Sequence, residues 1–125
     1  GILALAAARL GCGKCLAVDF NMLAVKTAHR NVLLNGLENN IATVQGDAVD
    51  FVDLPVTLIV ANIHFDVMEK LLLSEGFFKK KKFVLSGLLR SQAGKVEQLL
   101  QKRGASISKT WERDGVWYTF LGETP

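Results

Sequence analysis

Cysteine is scarce: two residues, Cys12 and Cys15, three positions apart. Two thiols so close together cannot form the disulfide framework of a small secreted domain. Long apolar runs are missing too, none reaching the ~18 residues a membrane span requires. The chain opens on apolar residues with neither a basic leader nor a cleavage site, so no signal peptide is expected. Internal repeats, linkers and low-complexity stretches are also lacking. Secreted, membrane and fibrous classes are thereby set aside, and a soluble, intracellular α/β domain is expected.

What is present fits one packed globule. Half of the 125 residues are hydrophobic and 22% are charged, enough apolar surface for one small domain and too little chain for two independent cores. The net charge of +3 is uneven. Four basic and five acidic residues lie up to Asn62, and eleven and seven after it. This mild asymmetry permits contact with nucleic acid or a nucleoprotein without demanding it.

Alanine-rich Gly1 to Leu10 predicts a largely buried helix ended by Gly11 and Gly13. It has no capping residue ahead of it, so upstream sequence is expected. Cys15 to Val18 reads as a strand buried on both faces that stops at Asp19. Asn21 can cap a helix from Met22 to Leu34, which Asn35-Gly36 closes. Strands are predicted over Ile41 to Gln45, Thr57 to Ala61 and Lys82 to Leu85. The last of these ends at Ser86-Gly87. Helices are predicted from Phe65 to Leu73 and from Ser91 to Arg103. Two closing strands, Ser106 to Arg113 and Val116 to Leu121, flank Asp114-Gly115, a hairpin signal. Strands alternating with helices point to a parallel sheet with helices on both faces, and the hairpin adds an antiparallel strand at one edge.

Ligands of open α/β sheets bind outside the carboxyl ends of the strands. Asp19, Asp47 and Asn62 stand at three such ends. Asp19 can accept both hydroxyls of a ribose, or cap the next helix. Asp47 can accept the exocyclic amine of an adenine, or serve as a turn residue. Asn62 leaves the most apolar strand, where an amide needs a hydrogen-bond partner; a ligand is the favoured one. Gly1, at the tip of the first helix, would face an anionic ligand if a glycine-rich loop preceded it.

Other residues read as structural. Cys12-Gly-Lys-Cys15 lacks a second metal-binding pair, since His29 and His64 fall in other elements, and it follows a helix instead of opening one as catalytic redox pairs do. It reads as a turn with two small, half-buried residues. Lys79 to Lys82 reads as a solvated turn and strand entry, with RNA or phosphate contact as the alternative. Trp111, Trp117 and Tyr118 are expected to pack across the hairpin. His29 is expected at the surface, and His64 is a weak candidate for bordering the pocket.

Taken together, GILALAAARLG, LAVDFNMLAVKTAHRNVLLNG, VQGDAVD, LIVANI, LSGLL and the closing DGVW hairpin resemble one family over nearly the whole chain. It is the methyltransferase of ribosomal large-subunit protein eleven (PrmA), within the class I S-adenosylmethionine-dependent methyltransferases. The resemblance implies a Rossmann-like α/β three-layer sandwich of seven strands, the last antiparallel. It implies S-adenosyl-L-methionine as cofactor and a cytoplasmic setting. Asp19 matches the acidic residue on the cofactor ribose, Asp47 the position near the adenine, and Asn62 the family's ANI motif, a cofactor-binding position beside the methionine moiety and the methyl group. Gly1 matches the last glycine of the cofactor loop. The implied reaction is methylation of lysine side chains or an N-terminal amine of a ribosomal protein. The family's first strand, the rest of its glycine loop and its substrate-recognition domain would lie before Gly1, making residues 1–125 an N-terminally truncated methyltransferase domain. Rival readings are a methyltransferase acting on another protein, RNA or a small molecule, and a non-catalytic domain.

Overall fold

The computed structural model describes all residues, 1–125, as two compact units, Gly1–Asp50 and Phe51–Pro125.

The first unit contains helix α1 (Ile2–Arg9), strand β1 (Cys15–Asp19), helix α2 (Met22–Leu34) and strand β2 (Ile41–Gln45), followed by a 3-10 turn over Ala48–Phe51. β1 and β2 pair in parallel, Cys15 opposite Ile41 and Asp19 opposite Gln45. α2 begins where predicted because the Asn21 side chain accepts from the N–H groups of Leu23 and Ala24, at 2.8 and 3.3 Å. Val32, Leu37 and Ile41 form a small core, on which Ala4, Leu5, Ala8, Cys15 and Ala17 pack. Two expectations fail in this unit. α1 buries no residue, and Ile2 is 77% exposed. β1 is half-buried at best, with Leu16 exposed. A sheet of only two strands offers α1 one narrow apolar face, which Ala4, Leu5 and Ala8 occupy while Ile2 and Leu3 stay exposed.

The second unit is built on a four-stranded sheet of order β3 (Leu58–Asn62), β4 (Lys82–Leu89), β6 (Trp117–Glu123), β5 (Ser106–Arg113). β3 and β4 run parallel; β6 is antiparallel to both its neighbours, so the hairpin's second strand lies inside the sheet and its first forms the edge. Asp114 and Gly115, at φ 56° and 65°, make the tight turn between them. Helix α4 (Arg90–Lys102) packs on one sheet face, and helix α3 (Phe65–Leu72) packs against α4. There Phe83, Leu85, Leu88 and Phe120 are buried with Met68, Leu72, Val96 and Leu100. On the other face Leu58, Val60, Trp111 and Trp117 are exposed.

β4 does not end at Ser86-Gly87. It continues to Leu89 through a bulge between Leu85 and Leu88, with Gly87 at φ +76° supplying the left-handed residue. A glycine after a strand pattern looks like a stop, but β6 keeps pairing beyond it, Leu88 opposite Tyr118 and Leu89 opposite Trp117. The lysine run is not wholly solvated either. Lys80 is buried, and its Nζ donates to the Leu54 carbonyl at 2.5 Å. The expected packing between hairpin aromatics is also absent. Trp111 lies opposite Thr119, with the Lys109 ammonium 4.7 Å from its ring. The aromatic pairs are Phe77 with Phe78 and with Phe83.

Candidate functional site

In the first unit the structure brings Asp19 and Asp47 to one end of the β1–β2 sheet. Asp19 closes β1, and its carbonyl accepts from the Gly46 N–H at 3.0 Å, tying together the loops that leave the two strands. Gln45 adds a second tie, its side-chain amide donating to the Phe20 carbonyl at 3.3 Å.

The two carboxylates are used alike. Asp19 Oδ1 accepts the Asn21 N–H at 2.9 Å, and Asp47 Oδ1 accepts the Val49 N–H at 3.0 Å. Each aspartate shapes its own loop with one oxygen, the side chain closing a turn on a backbone N–H two residues on. The second oxygen of each makes no hydrogen bond within the chain and remains an acceptor. Capping of α2 falls to Asn21, so Asp19 is not needed for it.

Gly1 caps α1 without a side chain, its carbonyl accepting the Leu5 N–H at 3.1 Å. A Cβ there would stand 2.8 Å from the Ala28 Cβ, so the start of α1 approaches α2 as closely as it does only with glycine.

In the second unit Asn62 ends β3 opposite Ser86. Its side chain is exposed and makes no hydrogen bond within the chain. The residue that makes room for it is Gly87, where a Cβ would fall 2.3 Å from Asn62 Oδ1. Ser86 is held in turn by a 2.7 Å hydrogen bond with the Thr119 hydroxyl. The sequence reading missed this arrangement. The Ser86-Gly87 pair was its visible signal, but it read as the end of a strand. His64 starts α3, exposed and without a side-chain cap, and His29 is exposed, its Nδ1 3.5 Å from Thr43 Oγ1. No group of three His, Cys, Asp or Glu residues is placed to hold a metal, and no helix is long and apolar enough to cross a membrane.

Chemically, the first unit offers two carboxylate acceptors at one sheet end, and the second offers a carboxamide with both donor and acceptor uncommitted. The family model of ribosomal protein L11 methyltransferase (PrmA) matches residues 1–124. The chain belongs to this family. It is 34% identical over 127 residues to the ribosomal protein L11 methyltransferase of Desulforamulus reducens, covering 97% of this chain and 40% of that protein. With the Listeria innocua protein of the same name it shares 34% identity over 128 residues, covering 98% and 40%. The chain thus spans about 40% of the length of these curated relatives. Among solved structures, the ribosomal protein L11 methylase of Lactobacillus delbrueckii subsp. bulgaricus superposes with a TM-score of 0.83 at 28% identity, over 100% of this chain and 65% of that one. TrmK of M. capricolum, solved in complex with S-adenosyl-homocysteine, matches with a TM-score of 0.81 at 14% identity over 98% and 57%, a likeness of fold alone. The fold is the mixed α/β fold of the class I methyltransferases.

Proposed function

We propose that the chain is the C-terminal, catalytic part of a cytoplasmic enzyme that transfers a methyl group from S-adenosyl-L-methionine to amino groups of a ribosomal protein, lysine side chains or the N-terminal amine. The observation that carries this reading is the Asn62 carboxamide, left without a partner at a strand end and given space by Gly87. Membership of the PrmA family supports it. The donor set fits the cofactor: the uncommitted oxygens of Asp19 and Asp47 match hydroxyl and amine donors of a nucleoside, and Gly1 carries no side chain where α1 approaches Ala28.

When bound, S-adenosyl-L-methionine supplies an electrophilic methyl group on a positively charged sulfur. The protein's task is alignment, since an in-line displacement needs nucleophile, methyl and sulfur on one axis. Asn62 Oδ1 accepts an N–H of the incoming amine and so aims its lone pair. Only the neutral amine attacks, and a lysine ammonium has a reference pKa of about 10.4. The approach of the amine to Asn62 must therefore strip its water and release a proton to solvent. Asp19 holds the ribose hydroxyls and Asp47 the adenine amine.

The test is methyl transfer from isotopically labelled S-adenosyl-L-methionine to the ribosomal protein, measured with a form extended upstream, with RNA as the competing acceptor. Asn62→Ala is expected to lower kcat on the order of 100-fold while calorimetry shows cofactor binding retained. Turnover close to that of the parent would remove Asn62 from the mechanism, and label in RNA alone would replace the acceptor.

A further inference from the structure

We infer that Thr119 is a positioning residue for methyl transfer: bonded to Ser86, it holds the bulge whose Gly87 sets the direction of the Asn62 carboxamide. The inference rests on the reading that Asn62 aligns the incoming amine.

These residues meet through the sheet register. Asn62 ends β3 opposite Ser86. On the other side of β4, Leu85 pairs with Phe120 and Leu88 with Tyr118. Ser86 and Gly87 are thereby left together opposite one residue of β6, Thr119, which is the count of a β-bulge. Side chains alternate between sheet faces along a strand. Leu85 and Phe120 turn into the core, so Ser86 and Thr119 stand on the opposite face, which Asn62 shares with exposed Leu58 and Val60. Asn62, Ser86 and Thr119 thus form one row across three neighbouring strands.

Asn62 does not fix its own direction. The torsion that turns a carboxamide is broad, without sharp staggered minima, and this one makes no hydrogen bond within the chain. What it meets is Gly87. A Cβ there would fall 2.3 Å from Asn62 Oδ1 and 3.5 Å from its Cγ, so the amide oxygen occupies the place that a side chain at 87 would take. Gly87 is placed in turn by the bulge. At φ +76° it holds a conformation that favours glycine, and a bulge locally interrupts the ladder. The hydroxyls of Ser86 and Thr119, half-buried and 2.7 Å apart, bond across this interruption. Thr119 is a firm post for that bond, because β6 lies inside the sheet and Thr119 faces Trp111 of β5 on its other side. The contacts run from β6 through Ser86 and Gly87 to the oxygen that meets the amine. Loss of the hydroxyl at 119 loosens the bulge and lets the carboxamide swing. Alignment of the nucleophile suffers, while binding of cofactor and acceptor does not.

The test uses the form extended upstream, labelled S-adenosyl-L-methionine and the ribosomal protein. Thr119→Val removes the hydroxyl and keeps the β-branched shape that suits a strand. It is expected to lower kcat by about tenfold, part of the ~100-fold that a misplaced reacting group can cost. KM for the ribosomal protein and the calorimetric affinity for the cofactor should not change. Thr119→Ser should restore kcat. In the Asn62→Ala background Thr119→Val should cause no further loss, because its effect passes through that carboxamide. Independently of turnover, the Asn62 side-chain amide signals in NMR spectra should move in Thr119→Val and return in Thr119→Ser. A loss of kcat in Asn62→Ala without one in Thr119→Val, or amide signals that stay in place, overturns the positioning role and leaves the functional reading standing. Full turnover in Asn62→Ala overturns both. A loss in Thr119→Val that persists in the Asn62→Ala background, or that comes with a raised KM and a lower urea midpoint, marks a merely structural role and overturns the inference.

Discussion

The two compact units bury their apolar residues to very different depths. In Phe51–Pro125, Met68, Phe77, Phe83, Leu85, Leu88, Val96, Leu100 and Phe120 are fully enclosed, at 0% exposure. In Gly1–Asp50 the buried apolar residues are Ala28, Val32, Leu37 and Ile41, and none of them is large and aromatic. Yet eight of the ten residues of GILALAAARL in the first unit are hydrophobic. Hydrophobicity supplies the tendency to be buried, but the depth reached depends on how many strands and how much side-chain volume meet at one face. Four strands and two helices carrying Phe, Met and Leu make a dry interior. Two strands and an alanine helix do not.

The most severe break in this contrast is Phe83→Ala. It is expected to cost about 3–5 kcal/mol, enough to unfold much of the chain, as read from the urea midpoint. Ile41→Ala in the thinner core should cost less, about 2 kcal/mol, because the surroundings can collapse or admit water. Equal losses for the two would mean that the first unit is packed as tightly as the second. Asn21→Ala removes the cap of α2 and should cost about 1 kcal/mol, visible as faster amide exchange in the first turn of that helix and not in α4.

The smallest effect is one of pH. The Cys15 thiol has an ordinary value of 9.0 and is pushed up to about 11 in the folded chain by burial and by Cys12. Between those values the unfolded chain has released a proton that the folded chain keeps, so the stabilisation present below pH 9 is lost as pH rises through 11. Urea midpoints should fall across this window in the parent and fall less in Cys15→Ala. An identical slope in both would show that the first unit shields this thiol no better than water does.

Much of the fold was legible because its signals are local. The Met22–Leu34 helix and the Ile41–Gln45 strand have the predicted bounds. Asn21, Asn35-Gly36 and the apolar spacing between them act within a few residues of one another. The Asp114-Gly115 turn is of the same kind, since its backbone angles follow from the two residues that adopt them. What was misread needed a distant partner. Gly87 sits in a bulge because β6 goes on pairing past it. Lys80 is buried because the Leu54 carbonyl, 26 residues away, receives its ammonium. Trp111 meets Thr119 across the hairpin, a matter of register and not of composition.

The candidate residues divide along the same line. From the order of residues alone, Asp19, Asp47 and Asn62 are three equivalent entries to loops at strand ends. That placement follows from the pattern of apolar runs and holds in the folded chain. The folded chain separates their roles: each aspartate commits one oxygen to its own turn, whereas Asn62 commits nothing and gains space from a glycine 25 positions later. A sequence encodes where a polar group enters the backbone, because secondary structure depends on near neighbours. Whether that group's hydrogen bonds are already satisfied depends on atoms brought close only by folding, and that decides what remains free to hold a ligand.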